Sequence, residues 1–317
     1  MSLKTTEQVA KQGDRPVSRH LLSSGAANGN TDWTDQHIAR KRSQNDWHSK
    51  SLKDIRDLSP TQLRQKVATN ATSGCYWLSS ANPKTIKGVS DNYVTATLSL
   101  APARYSNHTT CYRFKHCGDT CLYHQGRGKF AKIAEARIRK TNLFFEDQEV
   151  AAAAIHSEIQ RIQRKLNNSL DSPNLAVRLN TFSDLKWEDM RFKSLGDKSL
   201  LEANPSVQFY DYTKYPYTHR KAWSDMPINY HLTYSYDGTE EDIPNAQEIL
   251  SHGHNVAIVY SKPNYKDFLE RLAASGGGLV HKWGYPMVNN ETSDNRFLDP
   301  SPVILIGKEK GFSNISI

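Results

Sequence analysis

Hydrophobic and polar positions fall into two textures that meet near residue 90. Beyond it, Tyr93-Val94-Thr95-Ala96-Thr97-Leu98-Ser99-Leu100 alternates with the period of a strand. Further β-prone runs predict strands at Leu175–Leu179, Val207–Tyr212, Tyr230–Ser235, Val256–Tyr260 and Val303–Ile306. Between them lie helical stretches at Lys129–Phe145 and from Glu146 to about Asn168. Segments of helical length follow at Trp187–Ala203, Ile243–Ser251 and Tyr265–Ala274. Strands alternating with helices predict parallel βαβ units. Some six of them predict an α/β fold built as a complete or partial (β/α) barrel. The glycine pattern of a dinucleotide-binding sheet is absent after the first strand.

Before Asn92 the chain is polar, as in Ser23-Ser24-Gly25-Ala26-Ala27-Asn28-Gly29-Asn30. Ser59-Pro60-Thr61-Gln62 reads as N-cap, N1 proline and N3 glutamine of a short helix running to about Ala68. The expected organisation is a basic, polar, partly disordered extension over residues 1–90 and a barrel-like domain over residues 91–317.

Charge sharpens that division. Of a formal net charge of +8 over 317 residues, Met1–Ser90 carries 14 basic against 7 acidic side chains, and the remainder 27 against 26. The extension reads as a solvated tail or as a nucleic-acid arm, in which Arg40-Lys41-Arg42 between Trp33 and Trp47 offers cations for phosphate and rings for stacking. No apolar run approaches the roughly 18 residues of a membrane span. Met1–Arg15 has no apolar core, so neither a secretory signal nor membrane contact is expected, and the expected location is cytoplasmic.

Candidate chemistry gathers where the strands end, as expected of a parallel sheet. Leu179 leads into Asn180 and Asp184, Phe209-Tyr210 into Asp211 and Lys214, and Leu232 into Thr233-Tyr234-Ser235. In the loop after the first strand stand Cys111, Cys117 and Cys121, with His108, His116 and His124 around them and Cys75 far upstream. Without a secretory signal, structural disulfides are not expected. Three readings stand in order. A [4Fe–4S] cluster on three thiolates leaves one iron open for a ligand such as S-adenosylmethionine, although the spacing is not the usual Cys-x3-Cys-x2-Cys. A Cys3His zinc site on the same cysteines and His124 comes second. Three reduced thiols packed as small apolar groups come last.

Gly126-Arg127-Gly128-Lys129 ahead of a helix is an anion cradle or an ordinary glycine turn. The cations of that helix, Lys132, Arg137, Arg139 and Lys140, read as a solvated face. Arg178 lies in a strand buried on both faces and needs a partner, with Asp211 or Asp184 as candidates. It is either an ion pair inside the barrel or a fork for a ligand carboxylate or phosphate. Asn180 and Asp184 are candidates for ribose hydroxyls or an amino group. Arg296 and Asp299 read as a cap or salt bridge.

Several blocks then occur in order: Leu98-Ser99-Leu100-Ala101-Pro102-Ala103, the three cysteines with Cys121-Leu122-Tyr123, and Ala136-Arg137-Ile138-Arg139-Lys140-Thr141. Phe144-Phe145-Glu146-Asp147, Arg178-Leu179-Asn180, Phe209-Tyr210-Asp211-Tyr212-Thr213-Lys214 and Arg296-Phe297-Leu298-Asp299-Pro300 follow. This series, from about Asn92 to Gly307, resembles the phage gene-product-88-like group of bacteriophage and plasmid proteins. The resemblance implies a barrel similar to the radical S-adenosylmethionine type, with a cluster on Cys111, Cys117 and Cys121, in a host-cell cytoplasm. It also marks a departure. Members carry an acidic turn before the Arg-Phe-Leu-Asp-Pro block, and here Val288–Asp294 keeps only Glu291 and Asp294 charged.

The combined expectation is an iron–sulfur enzyme of unknown substrate. Asp184, Asp211 and Lys214 would be its catalytic side chains, and Gly126, Gly128, Arg178 and Asn180 would hold the cosubstrate. The alternative is a non-enzymatic nucleic-acid-binding protein with a structural zinc.

Overall fold

The computed structural model describes residues 59–80, 91–103, 105–117, 121, 123, 130–169, 172–276 and 279–310. All of them belong to one compact unit, Ser59–Ile317. Nine strands form one sheet: β1 (Leu78–Ser79), β2 (Tyr93–Leu98), β3 (Asn174–Arg178), β4 (Gln208–Thr213), β5 (Tyr230–Ser235), β6 (Asn255–Tyr260), β7 (His281–Lys282), β8 (Tyr285–Asn289) and β9 (Ile304–Lys308). Their spatial order is β1-β2-β3-β4-β5-β6-β9-β8-β7. Pairing is parallel from β2 through β6 to β9 and β8, and antiparallel only at the two ends.

The α/β class and the parallel core follow the expectation, but the barrel does not. Closure requires the first strand to pair with the last. Instead β1 caps one edge and the β7–β8 hairpin lies at the other, so the sheet is open.

Among the described residues the α-helices are α1 (Pro60–Ala71), the short α2 (Phe114–Cys117), α3 (Ala131–Glu146), α4 (Gln148–Asn167), α5 (Ile243–Ser251) and α6 (Lys262–Ala274). α1 starts as its sequence predicts. The Ser59 hydroxyl accepts from the Gln62 N–H at 3.4 Å, and the Gln62 side chain accepts from the Ser59 N–H at 2.9 Å. α4 is amphipathic: Ala151, Ala152, Ile155, Ile159, Ile162 and Leu166 are buried on one stripe. Asp147 caps its start, and Arg164 and Lys165 lie in its last turn, where the helix dipole favours cations.

The expected helix over Trp187–Ala203 does not form. That stretch holds only a 3-10 turn at Lys193–Leu195, ended by Gly196 at φ +72°. The Asn180 side chain accepts from the Leu185 N–H and the Trp187 Nε1–H, which pins the start of the segment as a loop.

The two faces of the sheet differ. One carries Val94, Ala96, Leu98, Leu175, Val177, Phe209, Leu232, Val256, Ile258, Ile304 and Ile306, buried with α4 in the main core. The other is mixed, with Thr95, Thr97, Arg178, Tyr210, Tyr212, His231, Thr233 and Asn255. A strap after β8 covers part of it. Phe297 packs against Tyr93 and Tyr210, and Ser293 and Asn295 both donate to Asp91.

Residues 59–80, assigned above to the extension, are thus part of the folded unit. β1 pairs with β2, and α1 packs against α4. The Glu158 carboxylate of α4 accepts the N–H groups of Tyr76, Trp77 and Leu78 at 2.6–3.0 Å, holding the approach to β1 in place. The tail with Arg40-Lys41-Arg42 lies outside the described residues.

Candidate functional site at the strand ends

The loops leaving β2, β3, β4 and β5 meet at the C-terminal edge of the parallel sheet, and Asp184 ties them together. Its N–H donates to the Thr110 carbonyl at 2.6 Å, beside Cys111. One carboxylate oxygen accepts from the Lys214 N–H at 2.8 Å, and the other from Arg220 Nη1 at 3.2 Å. Burial pushes the Asp184 carboxyl up, against the opposing pull of Arg220.

Arg220, itself buried, also grips Glu188 through Nε at 2.6 Å and Nη2 at 2.8 Å, and donates to the Tyr230 hydroxyl at 2.9 Å. Lys214 Nζ donates to the Ser235 carbonyl at 2.8 Å and hydroxyl at 3.3 Å. Burial pulls the Lys214 ammonium down, opposed by Cys117, Asp237, Asp242 and Asp184 around it. Arg113, two residues after Cys111, pairs with Asp242 and, at 3.3 Å, with Asp237. Tyr112 stacks on Tyr215 at 4.1 Å, forming a half-exposed ring pair at the rim.

All three cysteines of the stretch between β2 and α3 lie at this mouth, none of them in a disulfide. The Cys111 thiol donates to the Phe182 carbonyl and the Cys117 thiol to the Arg113 carbonyl, both at 3.5 Å. The Cys121 sulfur accepts from the Tyr123 N–H at 3.5 Å. Cys117 is within electrostatic reach of both other cysteines and of Lys214 and Asp184. Burial pushes all three thiols up, Cys111 to about 11, so they are protonated at neutral pH as they stand.

A family model described as Gene product 88 matches residues 30–316. The chain belongs to the Gene product 88 family. No curated protein and no solved structure matches it.

For this Gene product 88 member, the fit of a metal is read from the donors and their placement. Three thiols from one loop suit a soft metal ion or an iron–sulfur cluster. As they stand the sulfurs do not converge. Among the described residues, no three His, Cys, Asp or Glu side chains are grouped to hold a metal ion. His108 does not take part, since its ring stacks on Phe145 at 4.3 Å. The His116 side chain and His124 lie outside the described residues, as do Gly126 and Gly128.

The structure separates the remaining expected site residues. Asp184 and Lys214 are at the mouth beside the cysteines. Asn180 stands behind them: its carbonyl oxygen accepts from Ser183, Leu185 and Trp187, and its amide donates to the Leu185 carbonyl and Asp211. Asp211 is fully buried on the helix-covered side. It accepts from the Asn180 N–H at 2.6 Å and the Tyr230 hydroxyl at 3.0 Å, so it supports the mouth from below.

Arg178 pairs with neither Asp184 nor Asp211. It lies on the opposite face, 3.7 Å from Asp294, with its guanidinium over the Tyr212 ring. Register explains this, because consecutive strand positions point to opposite faces. Arg296 and Asp299 form the expected salt bridge at 3.1 Å. The altered turn keeps its two acids in use, Asp294 on Arg178 and Tyr210 and Glu291 on Lys310.

Arg113, Arg220, Glu188, Asp237 and Asp242 escaped sequence reasoning. They lie outside the strands and the long helices, in stretches without periodicity. The only local signal was the run of Asp and Glu after β5.

Proposed function

We propose that this Gene product 88 protein is an iron–sulfur enzyme of the radical S-adenosylmethionine type, with a metal centre held by Cys111, Cys117 and Cys121 at its strand-end mouth. The observation that carries the reading is the delivery of three thiols, none in a disulfide, from one stretch of chain to Lys214 and the buried Asp184 carboxylate that its backbone N–H holds. Such an edge is where parallel α/β sheets place their chemistry. When bound, a [4Fe–4S] cluster supplies one-electron chemistry with an open iron position. The chain's own residues do the rest. Asp184 fixes the loops, and Lys214 presents an ammonium beside Cys117. Gathering the sulfurs requires Cys111, Cys117 and Cys121 to approach one another and their thiols to lose protons, so metal uptake releases protons.

The test is iron, sulfide and zinc per chain in anaerobically purified protein, with reduced-state EPR, for wild type and Cys117→Ala. About four irons per chain, lost in Cys117→Ala, and a signal that shifts on adding S-adenosylmethionine are expected. One zinc without iron makes the site structural and moves the function to the nucleic-acid alternative. Neither metal in the wild type overturns the proposal.

A further inference from the structure

α3 carries four cations over Lys132–Lys140, and the structure treats them differently. Lys132 and Arg139 are exposed. Lys140 is partly buried but served: Nζ donates to the Trp77 carbonyl at 3.2 Å, and Glu158 is within electrostatic reach. Arg137 is neither exposed nor served. Its guanidinium lies 4.1 Å over the Phe182 ring and 5.2 Å from the Tyr123 ring. Its Nη1 is buried without an acceptor, and among the described residues no carboxylate pairs with it. Burial pulls its charge down, opposed only by Tyr123 and Cys121.

The position is built. The Thr141 hydroxyl accepts from the Ala101 N–H at 2.8 Å and donates to the Arg137 carbonyl at 2.9 Å, which locks this turn of α3 against the end of β2. The ring beneath the guanidinium belongs to Phe182, whose carbonyl anchors Cys111. Stacking on rings satisfies the flat faces of a guanidinium but leaves its edge of N–H donors unmet. A cation set back from water without a counter-charge is costly, and an arginine edge fits the paired oxygens of a carboxylate or phosphate.

We infer that Arg137 marks an anion subsite at the mouth, which receives the carboxylate or phosphate of a small ligand beside the cysteine loop. The reaction site and the subsite share Phe182 and Cys121, so an anion held there lies at the edge of the thiol cluster. The subsite requires no metal. Its failure and the failure of the metal reading are therefore observed separately, with metal content measured on the same sample.

Inorganic phosphate and malonate are titrated calorimetrically into the full chain, with potassium chloride at matched ionic strength as the reference. Saturable binding of one of them is expected, weakened about tenfold or more in Arg137→Gln and unchanged in Arg139→Gln. Phosphate alone assigns a phosphoryl group, and malonate alone a carboxylate. If neither binds beyond chloride, or if Arg137→Gln binds as the wild type does, the subsite is overturned. Should Arg137→Gln fail to fold, phenylglyoxal labelling of the wild type, mapped by mass spectrometry, decides. The bound anion shields Arg137 and leaves Arg139 reactive; equal labelling with and without anion overturns the inference.

Discussion

Two side chains hold the mouth from behind, and both are testable one residue at a time. Arg220 carries the only positive charge in direct contact with the buried carboxylates of Asp184 and Glu188 among the described residues. Arg220→Met leaves both carboxylates without it, and breaking a buried pair in this way costs about 3–5 kcal/mol. Urea unfolding at neutral pH should show that loss. Asp211 behaves differently, because burial pushes its carboxyl up to about 7 despite the Asn180 N–H. Between about pH 4 and pH 7 the folded chain holds a proton that the unfolded chain has released. The contribution of Asp211 to stability therefore falls as pH rises through that window and is level above it. Asp211→Asn removes this slope, roughly 4 kcal/mol at most, and urea midpoints at pH 5 and pH 8 check it.

Among the elements, α1 and β1 are the ones a composition-based boundary misplaces. The segment is polar, and β1 has two residues, too few for any periodicity. Its stability is tertiary: Leu78 and Trp77 are buried in the main core, and Glu158 collects three N–H groups ahead of and within β1. A chain begun at Asp91 should therefore melt well below one begun at Ser59, by on the order of 10 °C for a loss of several kcal/mol in a unit of this size. Thermal unfolding followed by circular dichroism measures the difference. Equal midpoints would mean that α1 and β1 add nothing to the fold.

Other elements were legible because their physics is local. The Ser59–Gln62 capping box needs only neighbours in sequence, and β2, β3, β4, β5, β6 and β9 follow the runs of apolar and β-branched residues to within a few positions. Trp187–Ala203 misled because its buried side chains, Trp187, Leu200 and Leu201, serve a loop held by Asn180 rather than a helix stripe. The β7–β8 hairpin passed unnoticed, since its strands are short and Gly284 at φ +85° makes the turn.

Across the whole molecule, the arrangement of the sheet places the chemistry. Parallel strands in register bring every loop that leaves a strand end to one edge, so residues as distant as Thr110, Asp184, Lys214 and Arg220 touch. Among the described residues, no helix is long and apolar enough to cross a membrane.

The sequence by itself determined the α/β class, the parallel strands, the gathering of Asp184, Lys214 and the three cysteines near strand ends, and the family. Each rests on local pattern or on residue type in fixed order. Tertiary structure alone decided that the sheet stays open, because closure depends on which edges meet and not on any strand's own composition. It decided that Arg178 answers to Asp294, through a register that sends alternate side chains to opposite faces. It also decided that Arg137 leaves the solvated face of its helix for the rings beside the cysteine loop, a choice made by Thr141 and Ala101 across 40 residues of chain.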